Sequence, residues 1–265
     1  MDADDVIAEL RTSKRYGGIA EPTLRRVAES ALAVEGGRIA PAAKRAKRAL
    51  HEVYGAYLGP SSPPYQVLEQ NLREAAAAGE PALREALMRA MRHHSSTRER
   101  AAILERFYAT IFERTGVPRT IADIAAGLNP LAAPWMGLGP GTTYIARDID
   151  MPMMRFVDAA LTILAIDHDV GVADALVDPP PPADISLLLK AIPCLERQRR
   201  SAGFDLVDAL EADVVVTSFP TASLGGLSKG LAKAHLEQFR AEAGRRGWRY
   251  DSIEFPGELA LLVWK

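Results

Sequence analysis

The chain has 265 residues, 48% hydrophobic and 25% charged, proportions of a globular protein that exclude a disordered, collagen-like or repeat-built chain. Its single cysteine, Cys194, excludes an internal disulfide and argues against a zinc centre, so a reducing cytoplasm is the expected compartment. The net charge of −2 hides an excess of base at one end: from Arg11 to Arg48 there are ten Lys and Arg against three Glu.

In chain order, apolar spacing predicts helices over 2–12, 21–34, 41–58, 64–77, 81–92 and 96–115. Turn signals at Gly17-Gly18, Gly36-Gly37 and Pro60-Ser61-Ser62-Pro63-Pro64 separate them. In the third of these helices Lys44, Lys47, Arg48 and His51 recur on one face, which lets Val53, Tyr54 and Tyr57 turn to a core. Such a face is either solvated or a footprint for a polyanion such as nucleic acid, whose binding weakens steeply with salt. The acidic start, MDADDVIAEL, lacks the layout of a signal peptide. The uncharged run from Ile124 to Ala146 is long enough for a bilayer, but its glycines and Pro130, Pro134 and Pro140 forbid a membrane helix.

From Arg119 the period changes. The runs TIADIA, TTYIARD, HDVGVAD, ADISLLLK and ADVVVTSF read as strands, with helices near 151–166, 193–210 and 228–244. RYDSIEFP and ELALLVWK follow with no helix between them, as a terminal hairpin. Five parallel strands and a hairpin are the plan of the class I S-adenosylmethionine (SAM) methyltransferases, an α/β fold whose Rossmann-like seven-stranded sheet has an antiparallel last strand. An N-terminal all-helical domain over residues 1–115 and a methyltransferase domain over residues 116–265 are expected.

In an open α/β sheet the ligand lies beyond the carboxyl ends of the strands, where the strand order reverses. The first strand here ends in a turn from Asp123 to Pro130, whose Ala125, Gly127 and Asn129 let backbone approach a methionine moiety closely. At the second strand end Asp148, beside Ile149, can accept two ribose hydroxyls. At the third, Asp174, beside Ala175, can accept from an adenine amine. Asp150 reads equally as a helix N-cap. The run Gly137-Leu138-Gly139-Pro140-Gly141 is not a dinucleotide fingerprint, and no P-loop, HExxH or paired-cysteine motif occurs, so nicotinamide chemistry, phosphoryl transfer and a metal are not expected.

The segments SKRYGGIAEPTLRRVA, AKRALHEVYGAYL, HHSSTRERAAILERFY, DIAAGLNPLAAPWM, LLLKAIPCLERQ and SFPTASLGGLSKGL, which together run along nearly the whole chain, resemble the aminoglycoside-resistance 16S rRNA guanine-N7 methyltransferases of the Arm/Rmt/Sgm group. The resemblance implies SAM as cofactor, released as S-adenosyl-L-homocysteine, with contacts from His94, Arg100, Gly127, Asp148, Asp174, Lys190 and Gln198. Arg100 can pair with the methionine carboxylate, the alternative being a salt bridge to Glu99 or Glu105; His94 can instead be a capping residue. It further implies that 16S rRNA within the 30S subunit is the partner, met by Lys14, Arg15, Lys44, Lys47, Arg48 and His51, with Arg197, Ser218, Phe219 and Pro220 near the target base. Guanine N7 needs no deprotonation, so no acid or base is assigned, Cys194 is read as a packing residue, and a monomer suits the large substrate. Ala222 and Leu227 stand where the group carries basic residues, which puts target affinity in question. Methylation of another RNA or of a small molecule, and 30S binding without catalysis, are the competing readings.

Overall fold

The computed structural model describes residues 3–58, 62–221 and 230–265. Ala222 and Leu227 lie outside the described residues.

Helix α1 (Ala3–Arg11) buries Val6, Ile7 and Leu10, α2 (Glu21–Val34) buries Leu24, Val27, Ala28 and Ala31, and α3 (Ile39–Val53) buries Ala42, Ala43, Ala46 and Leu50. The small residues of α3 let the three helices close on one core that also takes Ile19, Tyr54 and Leu58. Between α2 and α3 the chain needs two left-handed residues, supplied by Gly36 (φ 61°) and Gly37 (φ 79°).

Helices α4 (Tyr65–Ala78), α5 (Glu80–Met91) and α7 (Leu104–Thr115) serve a different core, and the short α6 (Ser95–Arg100) connects the last two. Leu72, Leu87, Met91, Phe107 and Ile111 pack with Ile121, Tyr144, Phe156 and Leu262 of the α/β part. The helices from Tyr65 to Thr115 thus pack with the α/β part, while those up to Leu58 form a cluster of their own. Helical periodicity marks which face is buried but not which core buries it.

The strands are β1 (Thr120–Ile124), β2 (Thr143–Asp148), β3 (Asp167–Val172), β4 (Ala183–Leu189), β5 (Ala212–Pro220), β6 (Arg249–Phe255) and β7 (Glu258–Trp264). Their order is β3-β2-β1-β4-β5-β7-β6; the first five are parallel and β7 runs antiparallel to both its neighbours. Strand order reverses between β1 and β4, which opens a crevice at their carboxyl ends. Helices α8 (Met151–Ile163), α9 (Ile192–Gln198), α10 (Ala202–Ala209) and α11 (Leu231–Arg246) complete the layers. The single helix expected over 193–210 is two, because Ser201 is left-handed (φ 65°) and the Glu196 carboxylate accepts the Ser201 and Gly203 amides at 2.9 Å each.

The N-terminal unit is fastened beside the crevice. Ala20 N donates to Ile149 O at 2.9 Å, Met151 N donates to Gly18 O at 3.0 Å, and the Tyr54 hydroxyl donates to Asp150. Asp150 also caps α8 through Met153 N at 3.2 Å, so its helix-cap role is the one realised.

Candidate active site

An open cavity lies in the crevice. His94, Ala125, Asp148, Ile149, Asp174, Ala175, Lys190 and Gln198 line it, together with Tyr54 and Tyr57 from the N-terminal unit. Tyr57 stacks on His94 with ring centroids 5.6 Å apart, and its hydroxyl meets the Cys194 sulfur at 2.9 Å. Burial pushes the Cys194 thiol up, which fits a packing residue and not a nucleophile.

At the end of β1, Ala125 (φ 54°) and Gly127 (φ 55°) turn the backbone through the left-handed region. A Cβ on Gly127 would stand 3.1 Å from His94 Cε1, so the turn and the imidazole touch. Gly127→Ala is expected to lower stability by about 1–2 kcal/mol, from the left-handed backbone alone, and to weaken S-adenosylhomocysteine binding by displacing His94. Thermal melts and titration calorimetry check both.

Asp148 accepts from Gly127 N at 2.9 Å and Asp150 N at 3.2 Å, which aims its carboxylate along the crevice. Burial raises its pKa to about 6, the Gly127 amide opposing the rise. Burial lowers His94 to about 4, helped by the Arg100, Lys190 and Arg98 charges, so its ring is neutral at pH 7.

Behind the turn lies a buried polar network. Arg100 is 1% exposed and donates from Nε and Nη2 to Glu258, at 3.1 and 2.6 Å, and from Nη1 to Asn129 Oδ1 at 2.8 Å. Tyr108 also donates to Asn129 Oδ1, at 2.6 Å, and Asn129 Nδ2 donates to Asp123 at 2.8 Å. Ser218 Oγ donates to Glu258 at 2.6 Å, and Lys190 Nζ donates to Glu99 at 2.8 Å while lying 3.4 Å from Glu258. Arg100 and Asn129 thus sit in the network and not on the cavity wall, and the Arg100 fork is engaged by Glu258 and Asn129. Neither Glu99 nor Glu105 is its partner. Lys190, with Arg26 and Arg147, lines the cavity.

Burial raises Asp123 to about 7 against an ordinary 3.8, with the Asn129 and Tyr144 hydrogen bonds opposing. A native pKa above the unfolded one means that this group's stabilisation, full below the unfolded value, is lost as pH rises through about 4 to 7. His94 has the opposite sign, so comparison with a variant isolates Asp123. The melting temperature of Asp123→Asn, relative to the wild type at each pH, is expected to rise between about pH 5 and about pH 8.

Two expected target-base residues are sealed in the fold. Ser218 is 0% and Phe219 1% exposed: β5 lies between β4 and β7, Ser218 serves Glu258, and Phe219 stacks on His235 in the core. Pro220, the last residue of β5, is half-buried, and Arg197 is exposed, its Nη1 3.4 Å from Glu52 O.

Arg197 borders a second groove with Lys44, Arg45 and Arg48 of α3. Arg26, Val53 and Gln198 line both groove and cavity, so the basic face opens onto the crevice. Lys44 and Arg48 are exposed and have no ion-pair partner among the described residues, whereas Lys47 is half-buried and held by Glu9 at 2.9 Å. Lys14 and His51 are exposed, and Arg15 reaches Gly55 O at 3.4 Å.

Sequence reasoning missed Arg26, Tyr57 and Glu258. A lone acid opening the apolar run ELALLVWK was the usable signal for Glu258, since a buried carboxylate requires a cation. Nothing local marked Tyr57. Among the described residues no three or more His, Cys, Asp or Glu side chains could hold a metal ion, and no helix is long and apolar enough to cross a membrane.

The model of the FmrO family, ribosomal RNA methyltransferases, matches residues 12–263. Relatives from Micromonospora echinospora and Frankia casuarinae, each a "16S rRNA (guanine(1405)-N(7))-methyltransferase", are 46% identical over 264 and 263 residues, covering 99% and 98% of this chain and 96% and 93% of theirs. The crystal structure of the 16S rRNA methyltransferase RmtF in complex with S-adenosyl-L-homocysteine superposes with a TM-score of 0.83 at 27% identity, covering 100% of this chain and 99% of that one. The motif resemblance, the sheet order and the cavity at its reversal point agree with these matches, and the chain belongs to the FmrO family of ribosomal RNA methyltransferases.

Proposed function

We propose that the protein uses SAM to methylate guanine N7 at the decoding site of 16S rRNA in the 30S subunit, corresponding to guanine 1405 of its relatives, and so gives aminoglycoside resistance. The observation that carries this reading is the junction of the cavity, through Arg26, Val53 and Gln198, with a groove that carries Lys44 and Arg48, cations with no ion-pair partner among the described residues. A cytoplasmic monomer is the form in which such an enzyme meets ribosomal subunits.

The cavity residues fit SAM. Ala125 and Gly127 give it a left-handed turn that a methionine chain can approach, with His94 and Lys190 beside it. Asp148 offers a carboxylate to the ribose hydroxyls, Ile149 and Ala175 flank the base, and Asp174 and Gln198 offer acceptors to the adenine amine. Arg100 and Asn129 act from behind by holding Glu258 and Asp123 in place. Bound SAM supplies a methyl group on a positively charged sulfur, and guanine N7 brings its own lone pair. No proton need leave the nucleophile, so the residues contribute by orienting and by excluding water, not as a general base.

Outside the cavity, phosphate contacts from Lys14, Arg15, Lys44, Lys47, Arg48 and His51 would set register on the folded rRNA, with Arg197 and Pro220 nearest the flipped base. Incubation with labelled SAM tests the reading: label enters 30S subunits in preference to free 16S rRNA. Turnover on a free metabolite would move the function to small molecules, and 30S binding without transfer would make the protein a non-catalytic binder.

A further inference from the structure

Helix α2 points one arginine at solvent and the next at the cavity. Arg25 pairs with Asp4 and Glu21 at the surface. Arg26 flanks the buried face of Leu24, Val27 and Ala28 and crosses to the end of β3. Its Nε and Nη2 donate to Asp174 Oδ2 at 3.0 and 2.7 Å, and Nη2 also donates to Gln198 Oε1 at 2.9 Å. Asp174 is 3% exposed, and its Oδ1 accepts from Leu176 N at 3.0 Å.

The lone pairs decide what remains. Each carboxylate oxygen accepts at two sites. Arg26 occupies both on Oδ2, and Leu176 takes one on Oδ1. One acceptor site is left on Asp174 Oδ1 and one on Gln198 Oε1, both residues lining the cavity. The donors beside these two acceptors, Arg26 Nη2 and Gln198 Nε2, already have protein partners, so the open sites suit an exocyclic amine better than a carbonyl.

We propose that Arg26 is a positioning residue for the nucleoside end of the cofactor: by holding Asp174 and Gln198 it fixes two acceptors that select a 6-amino over a 6-oxo purine. The proposal rests on the placement of adenine at Asp174. Without the guanidinium, the carboxylate and the amide are free to turn, and the pair of aimed acceptors is lost. Lysine can hold one of the two but has no planar fork to hold both.

The test is titration calorimetry of the full-length protein with S-adenosylhomocysteine and with its 6-oxo analogue, S-inosylhomocysteine. Wild type is expected to prefer the amine by at least about tenfold, because a 6-oxo group leaves a buried acceptor unpaired. Arg26→Gln should weaken S-adenosylhomocysteine roughly tenfold and bring the preference close to unity, the value of losing a charge-assisted contact. Arg26→Lys should keep part of the preference with intermediate affinity, and it carries the comparison if Arg26→Gln melts early. Wild-type affinity and preference in both variants overturn the proposal. So does an equal loss for both ligands, which a purely structural tie between the two units would give. Asp174→Asn separates the levels: if it leaves both ligands unaffected, the placement of adenine fails; if it acts and the Arg26 variants do not, only the role of Arg26 fails.

Discussion

Glu258→Ala is expected to cost the protein about 3–5 kcal/mol of stability, as breaking a buried ion pair from one side does, and to abolish detectable binding of S-adenosylhomocysteine. Glu258 is 1% exposed, receives both faces of the Arg100 fork and the Ser218 hydroxyl, and lies 3.4 Å from Lys190. Burial alone would raise its pKa; the Arg100 and Lys190 charges outweigh that and hold it below the ordinary carboxylate value. Without it, Arg100 keeps Asn129 and Lys190 keeps Glu99, but one buried positive charge is left without a counter-charge. The strain falls on the strand ends that form the cavity, because Lys190 N is bonded to Ser218 O and Oγ at 3.1 Å each. A chain of this size loses about 2–4 °C of melting temperature per kcal/mol, so the effect is easily measured. Glu258→Gln keeps the shape and should fall between the two. An unchanged melting curve for the alanine variant would show that the network is not what holds the crevice.

Reversing the charges of Lys44 and Arg48 to glutamate is expected to weaken 30S binding roughly ten- to hundredfold at low salt, with each lost phosphate contact making the salt dependence shallower by about 0.7–0.9. These two cations suit the test better than Lys47. They are exposed and unpaired among the described residues, so their change disturbs no native ion pair, while Lys47 holds Glu9 across α1 and α3. Affinity for S-adenosylhomocysteine and the melting temperature should stay at wild-type values. Filter binding over a salt series, with calorimetry alongside, reads both. Unaltered 30S affinity would remove this face from the docking surface.

The strands were legible because each combines a short apolar run with a turn signal, and the antiparallel end of the sheet was legible because no helix separates the last two. Asp148 and Asp174 were legible for the same reason: a strand end in this fold is a position in space as well as in sequence. What escaped depends on pairings across long stretches of chain. Glu258 meets Arg100 only because β7 inserts beside β5, and Arg26 meets Asp174 only because the N-terminal unit docks at Ile149 and Asp150. Ser218 and Phe219 were assigned to the target base from their place at the end of β5. They are buried because β7 extends its pairing through Pro220 and seals that end. Which core the helices from Tyr65 to Thr115 pack into carries no local signal, because their periodicity shows only the buried face.

The central claim is methylation of one guanine at N7, and chemical mapping of the product tests it most directly. The 30S subunits would be treated with the protein and labelled SAM, their 16S rRNA extracted, and the chain cut with borohydride and aniline, which cleave at N7-methylguanosine. Label is expected in 16S rRNA, with a single new cut at the decoding-site guanosine that is absent when SAM is withheld. Label that yields no cut, or a cut elsewhere in the rRNA, would contradict that claim.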